Sequence, residues 1–162
     1  MVNSRQKGRK GEHLVLDLLN RVTQRTFEQT PGSGSGKIKG DLYLPHKKNV
    51  FLIEVKFYKD DALTSKIFTS KSNPFVQWWS KTEKQALEST LEPLLFFKAN
   101  YGQIFVATQR KPEKVPYFYI SWLNVYVCLA EPWLENEKVE WSYGKIIYRP
   151  WDTPTDDELI DS

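Results

Sequence analysis

Apolar residues near the start of the chain recur at helical spacing. The repeat predicts an amphipathic helix from Gly11 onward, with a core-facing stripe formed by Leu14, Val15, Leu16, Leu18, Leu19 and Val22. Glu12 precedes three of these positions by three, four and seven residues, so we expect its side chain on the stripe rather than opposite it. Residues 1–10 are polar and basic, and we expect a mobile arm there.

Farther along, the pattern becomes that of β-strands. Val50–Phe57 (VFLIEVKF) is almost continuously apolar, which predicts a buried central strand. The other expected elements are short strands at Thr26–Thr30 and Asp41–Leu44, a helix at Pro74–Thr90, strands at Leu94–Lys98 and Gln103–Thr108, extended segments at Tyr117–Ile120 and Tyr126–Leu129, and a hairpin at Val139–Tyr148. Pro31–Gly40 indicates a Gly/Ser loop, and Tyr58–Asn73 indicates a mobile polar loop. This order predicts one α/β domain over residues 1–150, a mixed central sheet flanked by helices, followed by an acidic, disordered tail at 151–162.

Composition narrows the class of protein. The chain has 162 residues, of which 40% are apolar and 27% charged, as expected of a globular domain. A single cysteine and two histidines exclude an internal disulfide, a Cys-rich zinc site and a multi-His metal centre. No apolar run reaches the roughly 18–20 residues of a membrane helix, and no apolar segment follows the basic N-terminus as in a secretory signal. We therefore expect a cytoplasmic protein, of a cell or of a virus-infected cell, with no membrane partner.

Charge is unevenly distributed along the chain. Up to Lys84 there are 16 Lys and Arg against 8 Asp and Glu, a net charge of +8, and the remainder carries −5. A basic half is typical of a protein that binds a polyanion, although a solvated surface explains charge asymmetry alone equally well. The choice between a polyanion-binding surface and a solvated surface therefore depends on whether residues of a catalytic or binding site accompany the basic residues.

Two predicted strands bring acidic and basic side chains together. Asp41 begins one strand, and Glu54 and Lys56 lie two residues apart on the next, so both point to one face while Val55 points into the core. Clustered carboxylates repel each other unless a cation neutralises them, and all-oxygen ligands suit Mg²⁺ or Mn²⁺ rather than zinc. The competing interpretation is a Glu–Lys pair at an exposed strand end.

Four features together identify a family resemblance: the basic stretch that runs into Gly8–Glu12 (GRKGE), the Gly/Ser loop at 31–36, Asp41, and Glu54-Val55-Lys56. In this order they resemble the PD-(D/E)xK nuclease superfamily, with Gly40 standing where many members have proline. The chain is most similar to the archaeal-type Holliday junction resolvases and their viral relatives. The resemblance covers about residues 5–60, and residues 74–108 by element order, and implies a restriction-endonuclease-like core.

The resemblance also implies roles for individual residues. Asp41 and Glu54 become metal ligands and Lys56 the catalytic lysine. Glu12 becomes an additional acid at the site that acts on the metal directly or through water. A catalytic serine is expected in the Gly/Ser loop, where Ser33 and Ser35 both remain candidates. An acid near a helix start also interacts favourably with the helix dipole, and the two serines also suit a flexible linker, so structural roles compete. We expect phosphate contacts from the basic residues Arg5, Lys7, Arg9, Lys10, Lys37 and Lys39.

These observations predict an Mg²⁺-dependent endonuclease, with Mn²⁺ as substitute, that cleaves branched DNA and preferably four-way junctions. Two symmetric cuts imply a two-fold homodimer. Aromatic surface for its interface is offered by Phe75, Trp78, Trp79 and the Tyr117–Trp122 segment, with a place in the core as the alternative for all of them. A restriction-type enzyme and a flap or single-strand nuclease are the alternatives within the same fold. A DNA-binding module without catalysis is the alternative of another class, and it is disfavoured because a binder gains nothing from carboxylates that face a phosphate.

Overall fold

A computed structural model describes residues 4–31 and 39–144, and for residues 4–7 the backbone alone. The helices are α1 (Ser4–Thr23), α2 (Pro74–Ser89) and α3 (Ala130–Asn136). The strands are β1 (Glu28–Gln29), β2 (Leu42–Tyr43), β3 (Phe51–Tyr58), β4 (Glu92–Ala99), β5 (Phe105–Thr108), β6 (Phe118–Ile120) and β7 (Val125–Leu129). Within the described residues they form one sheet in the order β1-β2-β3-β4-β5-β7-β6. The predicted α/β fold with a mixed sheet is confirmed.

Strand β3 lies between an antiparallel and a parallel neighbour. It pairs with β2 only at Leu42 and Ile53, and with β4 in parallel over its full length, from Phe51 to Tyr58. Helix α2 connects β3 to β4 and packs on both strands. The remaining strand pairs are antiparallel.

The sheet separates two hydrophobic clusters, which fixes the direction of each β3 side chain. Phe51, Ile53 and Val55 are buried in the cluster that contains the inner stripe of α1. The cluster on the other face contains Phe75 and Trp79 of α2 together with Leu95 and Phe97 of β4. Because strand side chains alternate, Glu54 and Lys56 point to the α2 face, where both are half-buried.

Helix α1 begins at Ser4, so the expected mobile arm over residues 1–10 is wrong for the part that the structure describes. The segment contains Gln, Arg and Lys, which are good helix formers, and it extends the helix although it lacks an apolar stripe. Arg9 and Lys10 are exposed on this first part of the helix. The basic residues therefore stand on a helix rather than on a flexible arm.

A glycine allows α1 to approach β3 closely. A Cβ atom at Gly11 would lie 2.8 and 2.9 Å from two carbons of the Phe57 ring, whereas a Cβ atom at Gly8 meets nothing within 4 Å. Only a residue without a side chain fits between the helix and that ring. Gly11 thereby sets the distance between α1 and β3 immediately before Glu12.

The segment from residue 59 to 73 is folded against the domain, contrary to the expected mobile loop. It contains a 3₁₀ helix at Ser65–Phe68, and its Ile67 and Ala62 side chains are buried. Asn73 is buried and accepts a hydrogen bond from the Val76 amide at 3.2 Å, which caps α2, while its Nδ2 donates to the Ala62 carbonyl at 3.2 Å. One asparagine side chain thus fastens this segment to the helix that follows.

Beyond β7 the structure differs from the prediction. Helix α3 was not anticipated, and it buries Trp133 and Leu134. Trp141 contacts the rings of Phe27, Phe51 and Trp133 edge-on, which anchors the chain that follows α3. Where a hairpin was expected at Val139–Tyr148, the described part has a single antiparallel bridge between Ser142 and Asn49. The rest of that hairpin and the acidic tail at 151–162 lie outside the described residues.

The expected interface aromatics fall into two groups. Phe75 and Trp79 have no exposed surface, so for these two residues the core alternative holds and the interface role is excluded. Trp78 is half-buried, while the Tyr117–Trp122 segment exposes most of its rings. Of the described helices, none has the length and apolar character needed to cross a membrane.

We predict that Gly11→Ala destabilises the protein although alanine is the better helix former. The new methyl group collides with the Phe57 ring, and such overpacking costs about 1–3 kcal/mol. Gly8→Ala is the matched control because its methyl group meets no atom, and we expect it to stabilise by up to about 1 kcal/mol. Urea unfolding of both variants gives the comparison. Equal stability of the two variants would show that α1 and β3 do not approach as closely as described.

Candidate active site

Asp41 is held by three hydrogen bonds at the point where β2 begins. Its amide donates to the Ile53 carbonyl at 2.7 Å, and its carbonyl accepts from the Thr30 amide at 3.0 Å. Its carboxylate oxygen Oδ2 accepts from the Val55 amide at 2.8 Å. An N–H at the edge of β3 is thus bonded to a carboxylate rather than to a neighbouring strand. A side chain in that position cannot turn away from the strand without leaving a polar group unbonded.

The residue before Asp41 must be glycine. Gly40 has a φ of +90°, and a Cβ atom there would lie 2.9 Å from the Ile53 carbonyl oxygen. Proline fixes φ near −65°, so the proline that many superfamily members carry does not fit this backbone. Thr30 also bonds this segment, since its hydroxyl donates to the Gly40 carbonyl at 2.7 Å. The backbone before β2 therefore has a conformation that proline does not adopt, and it still places the Asp41 carboxylate beside β3.

Glu54 lies beside Asp41 on the α2 face of the sheet. Burial raises the pKa of Glu54 to about 8, and the negative charge of Asp41 and a hydrogen bond with its side chain act in the same direction. The ammonium groups of Lys56 and Lys81 act in the opposite direction but do not compensate fully. Two carboxylates are therefore held together with too little positive charge around them.

Glu12 approaches the same aspartate from α1. It is half-buried, and its Oε2 accepts a hydrogen bond from Gln29 Nε2 at 3.1 Å. Burial raises the pKa of Glu12, and the charge of Asp41 raises it further, while His13, Gln29 and Lys56 favour the ionised form. The structure thus places Glu12, Asp41, Glu54 and Lys56 in one electrostatic neighbourhood.

A divalent cation fits the chemistry of this group. The side chains offer oxygen atoms, and the raised pKa values indicate an excess of negative charge that a cation would relieve. In the parts of the chain that the structure describes, no set of three or more His, Cys, Asp or Glu side chains is arranged so that it could hold a metal ion. Asp41 and Glu54 are a pair of carboxylates, and Mg²⁺ is commonly bound by one or two carboxylates together with water and substrate phosphates.

The other predicted site residues are described unevenly. Ser33, Ser35 and Lys37 lie outside the described residues, and Arg5 and Lys7 are described by their backbone in α1 alone. Lys39 is exposed two residues before Asp41. Arg9 and Lys10 are exposed three and two residues before Glu12. The described cations thus lie close in the sequence to Glu12 and Asp41 and are accessible to a ligand.

Two residues near the cluster were missed by sequence reasoning. Lys81 lies on α2 and exerts its charge on Glu54, and Gln29 lies on β1 and donates to Glu12. Gln29 lies in the strand predicted at Thr26–Thr30, but its pairing with Leu42, the residue after Asp41, was not predicted. No feature of the sequence indicates that Lys81 lies near Glu54, because a lysine on a helix is ordinarily a solvated residue.

A family model described as "Phage putative PDDEXK endonuclease" matches residues 3–126, a range that contains all four residues of the cluster. The chain belongs to this family. Protein D14 of Escherichia phage T5 is 32% identical over 154 residues, which cover 86% of this chain and 96% of that protein. No solved structure matches the chain. Membership in a phage PDDEXK endonuclease family confirms the superfamily, while the closer relationship to archaeal-type resolvases stays a prediction.

We predict that Glu54→Gln stabilises the metal-free endonuclease at pH 8. A carboxyl group whose pKa is raised on folding stabilises the protein only below its unfolded value, and this stabilisation is lost as the pH rises from about 4.5 towards 8. The amide removes this loss, so we expect a gain on the order of 1–3 kcal/mol at pH 8 and little change near pH 4.5. Thermal melts in EDTA measure the difference.

The matched control is Glu88→Gln, which alters an exposed acid on the same helix as Lys81. It should leave the stability unchanged at both pH values. Addition of Mg²⁺ or Mn²⁺ should raise the stability of the wild type more than that of Glu54→Gln. A Glu54→Gln variant that is less stable than the wild type at pH 8 in EDTA would contradict the electrostatic description.

Proposed function

We propose that this protein is a divalent-metal-dependent endonuclease that hydrolyses phosphodiester bonds in branched DNA, with the four-way junction as its preferred substrate, in the cytoplasm of an infected cell. The observation that supports the proposal is the fixed Asp41 carboxylate beside Glu54, with Lys56 on the same face of β3. The family supplies the reaction class, an endonuclease. The choice of branched DNA rests on the resemblance to junction resolvases.

The residues of the cluster have separable tasks. Asp41 and Glu54 would hold Mg²⁺ or Mn²⁺, with Glu12 adjoining, and such an ion polarises a phosphoryl oxygen and lowers the pKa of bound water. The Val55 amide keeps Asp41 in one position throughout. Lys56 exerts its positive charge on Glu54 and Glu12, and there it would stabilise negative charge that develops on the phosphate. Lys81 contributes a second positive charge from α2.

DNA binding is assigned to the basic residues that precede the acidic residues of the cluster in the sequence. Arg9, Lys10 and Lys39 are exposed, and we extend the assignment to Arg5, Lys7 and Lys37 from their positions in the sequence. Contacts of this kind are made with phosphates, so they are salt-sensitive and largely independent of sequence. Such contacts place the backbone at the cluster without a requirement for a particular base sequence.

We predict that Asp41→Asn, Glu54→Gln and Lys56→Ala each lower the rate of cleavage by about 100-fold or more while DNA binding persists. Each change removes a group that acts on the reacting phosphate, and losses of this size are typical of such groups. Lys138→Ala, which alters an exposed lysine after α3, is the control. Labelled four-way junction, flap, duplex and single strand are incubated with each protein in Mg²⁺ and in Mn²⁺.

Near wild-type cleavage by any of the three variants would contradict the site assignment. Preferential cleavage of flap or single strand by the wild type would favour the corresponding nuclease over a resolvase. Strong DNA binding without cleavage of any substrate would favour the non-catalytic module.

We further propose that the protein acts as a two-fold homodimer, because symmetric cleavage of a junction needs two active sites. With Phe75 and Trp79 buried, the most exposed of the predicted interface aromatics are those of the Tyr117–Trp122 segment. Phe118 is 73% exposed and Trp122 48% exposed, and β6 is the last strand of the sheet within the described residues. A strand at the end of a sheet readily pairs with a strand of another chain.

Sedimentation of the wild type should show a dimer, and Phe118→Glu should shift it to monomer by placing a charge in the contact. Phe68→Glu is the control, since Phe68 is equally exposed, at 75%, on the 3₁₀ helix. A protein that is monomeric both alone and on a junction would overturn the homodimer and favour the flap or single-strand nuclease.

A further inference from the structure

A groove opens at the carboxyl ends of the parallel strands β3 and β4. Its volume is about 390 Å³, which is within the size range of small-molecule sites. The walls are formed by the ends of both strands, by residues 59–62 and by the turn at 99–103. Its aromatic lining consists of Tyr58, Trp78, Phe97, Tyr101 and Phe105.

The aromatic rings form a continuous surface. Trp78 meets the Tyr58 ring edge-on with centroids 5.7 Å apart, and it lies 6.4 Å from the Phe97 ring. Phe97 in turn stacks on Phe105 at 5.5 Å. Phe97 is buried below, whereas Tyr58 is 36% exposed and Tyr101 projects fully into solvent. A flat apolar ligand that enters would find ring faces and edges on several sides.

Two elements connect this groove with the acidic cluster. On β3, Glu54, Lys56 and Tyr58 alternate onto one face, so Tyr58 follows Lys56 by about 6.6 Å along the strand. On α2, Lys81 follows Trp78 by three residues and therefore lies on the same side of the helix, about one turn away. The groove and the cluster are thus adjacent along both the strand and the helix.

The charges of the groove favour an uncharged ligand group. Lys59 and Lys98 line it together with Asp60 and Asp61, so the formal charges balance. Lys98 already donates to the Ala99 carbonyl at 3.2 Å and lies 5.4 Å from the centre of the Phe57 ring. The two carboxylates oppose a phosphate group, which finds its positive partners at Lys56 and Lys81 instead.

We propose that this groove takes one unpaired nucleobase of the DNA strand whose phosphate lies at the cluster, and that the base stacks on Tyr58 and Trp78. This inference rests on the proposed nuclease function and adds a cause for substrate preference. A base inside a continuous duplex stays stacked on both neighbours and does not reach the groove. At a branch point the continuous stacking is interrupted, so a base there leaves its pair at a lower energetic cost. The protein would therefore favour branched DNA through recognition of a base face, independent of base identity.

The test compares two branched DNAs that differ in a single nucleotide. One DNA carries an unpaired thymidine beside the branch point, and the other has an abasic nucleotide at the same position. The comparison is made once for each side of the branch point. Binding is measured in EDTA so that no cleavage intervenes. We expect the wild type to bind the thymidine DNA about tenfold more tightly, the effect of one base–aromatic contact. Blunt duplex should bind wild type and variants alike.

Variants of Tyr58 then test whether the preference for the thymidine DNA arises in the groove. Tyr58→Leu should bind the two DNAs equally, while Tyr58→Phe retains the ring and should retain the preference. Tyr143→Leu is the control and should behave as the wild type, because the amide of this exposed tyrosine donates to the Lys48 carbonyl ahead of β3, at the opposite end of the strand from Tyr58. Should Tyr58→Leu fail to fold, the wild-type comparison of the two DNAs decides on its own.

Equal affinity of the wild type for the thymidine and abasic DNAs on both sides of the branch point would overturn the inference, as would a preference that persists in a folded Tyr58→Leu. Cleavage of the same DNAs in Mg²⁺ is measured in parallel. Cleavage without a base preference contradicts the proposal that the groove binds a base, and it leaves the proposed nuclease function unaffected. A base preference that Tyr58→Leu abolishes supports the groove, even if no DNA is cleaved and the nuclease proposal fails.

Discussion

The site depends on one hydrogen bond, from the Val55 amide to the Asp41 carboxylate. Strand β2 pairs with β3 through Leu42 and Ile53, so the Val55 N–H needs an acceptor from another source. The Asp41 carboxylate supplies this acceptor and is thereby fixed beside Val55, the residue between Glu54 and Lys56. The unusual backbone of Gly40 and the close approach of α1 at Gly11 both serve this arrangement, because they bring the aspartate and Glu12 to the same edge.

The same arrangement creates an electrostatic imbalance. Burial and the negative charge of Asp41 raise the pKa values of Glu54 and Glu12, and the nearby lysines compensate only in part. A fold that served stability alone would gain from neutral residues at these positions. The imbalance is therefore best explained by a partner of positive charge, and the oxygen-only ligand set makes a hard divalent cation the natural one.

The sequence predicted that Asp41, Glu54, Lys56 and Glu12 lie together because short-range spacing along one strand and one helix indicates where their side chains point. Alternation along β3 separates Val55 from Glu54 and Lys56, and the helical spacing of α1 orients Glu12 inward. Lys81 was not predicted, because its proximity to Glu54 arises from the packing of α2 on the sheet, which no spacing in the chain encodes. Helix α3 was missed since its seven residues bury few side chains and carry little periodicity. The helical start at Ser4 was missed because a polar segment gives no apolar stripe to recognise.

The central claim is that Asp41 and Glu54 together form a divalent cation site. The most direct test is Mn²⁺ binding at pH 8 in the absence of DNA, followed by the electron paramagnetic resonance signal of the free ion. The wild type and Glu88→Gln should bind Mn²⁺ alike, and Asp41→Asn and Glu54→Gln should each bind it at least about tenfold more weakly. Equal Mn²⁺ affinity in all four proteins would contradict the account.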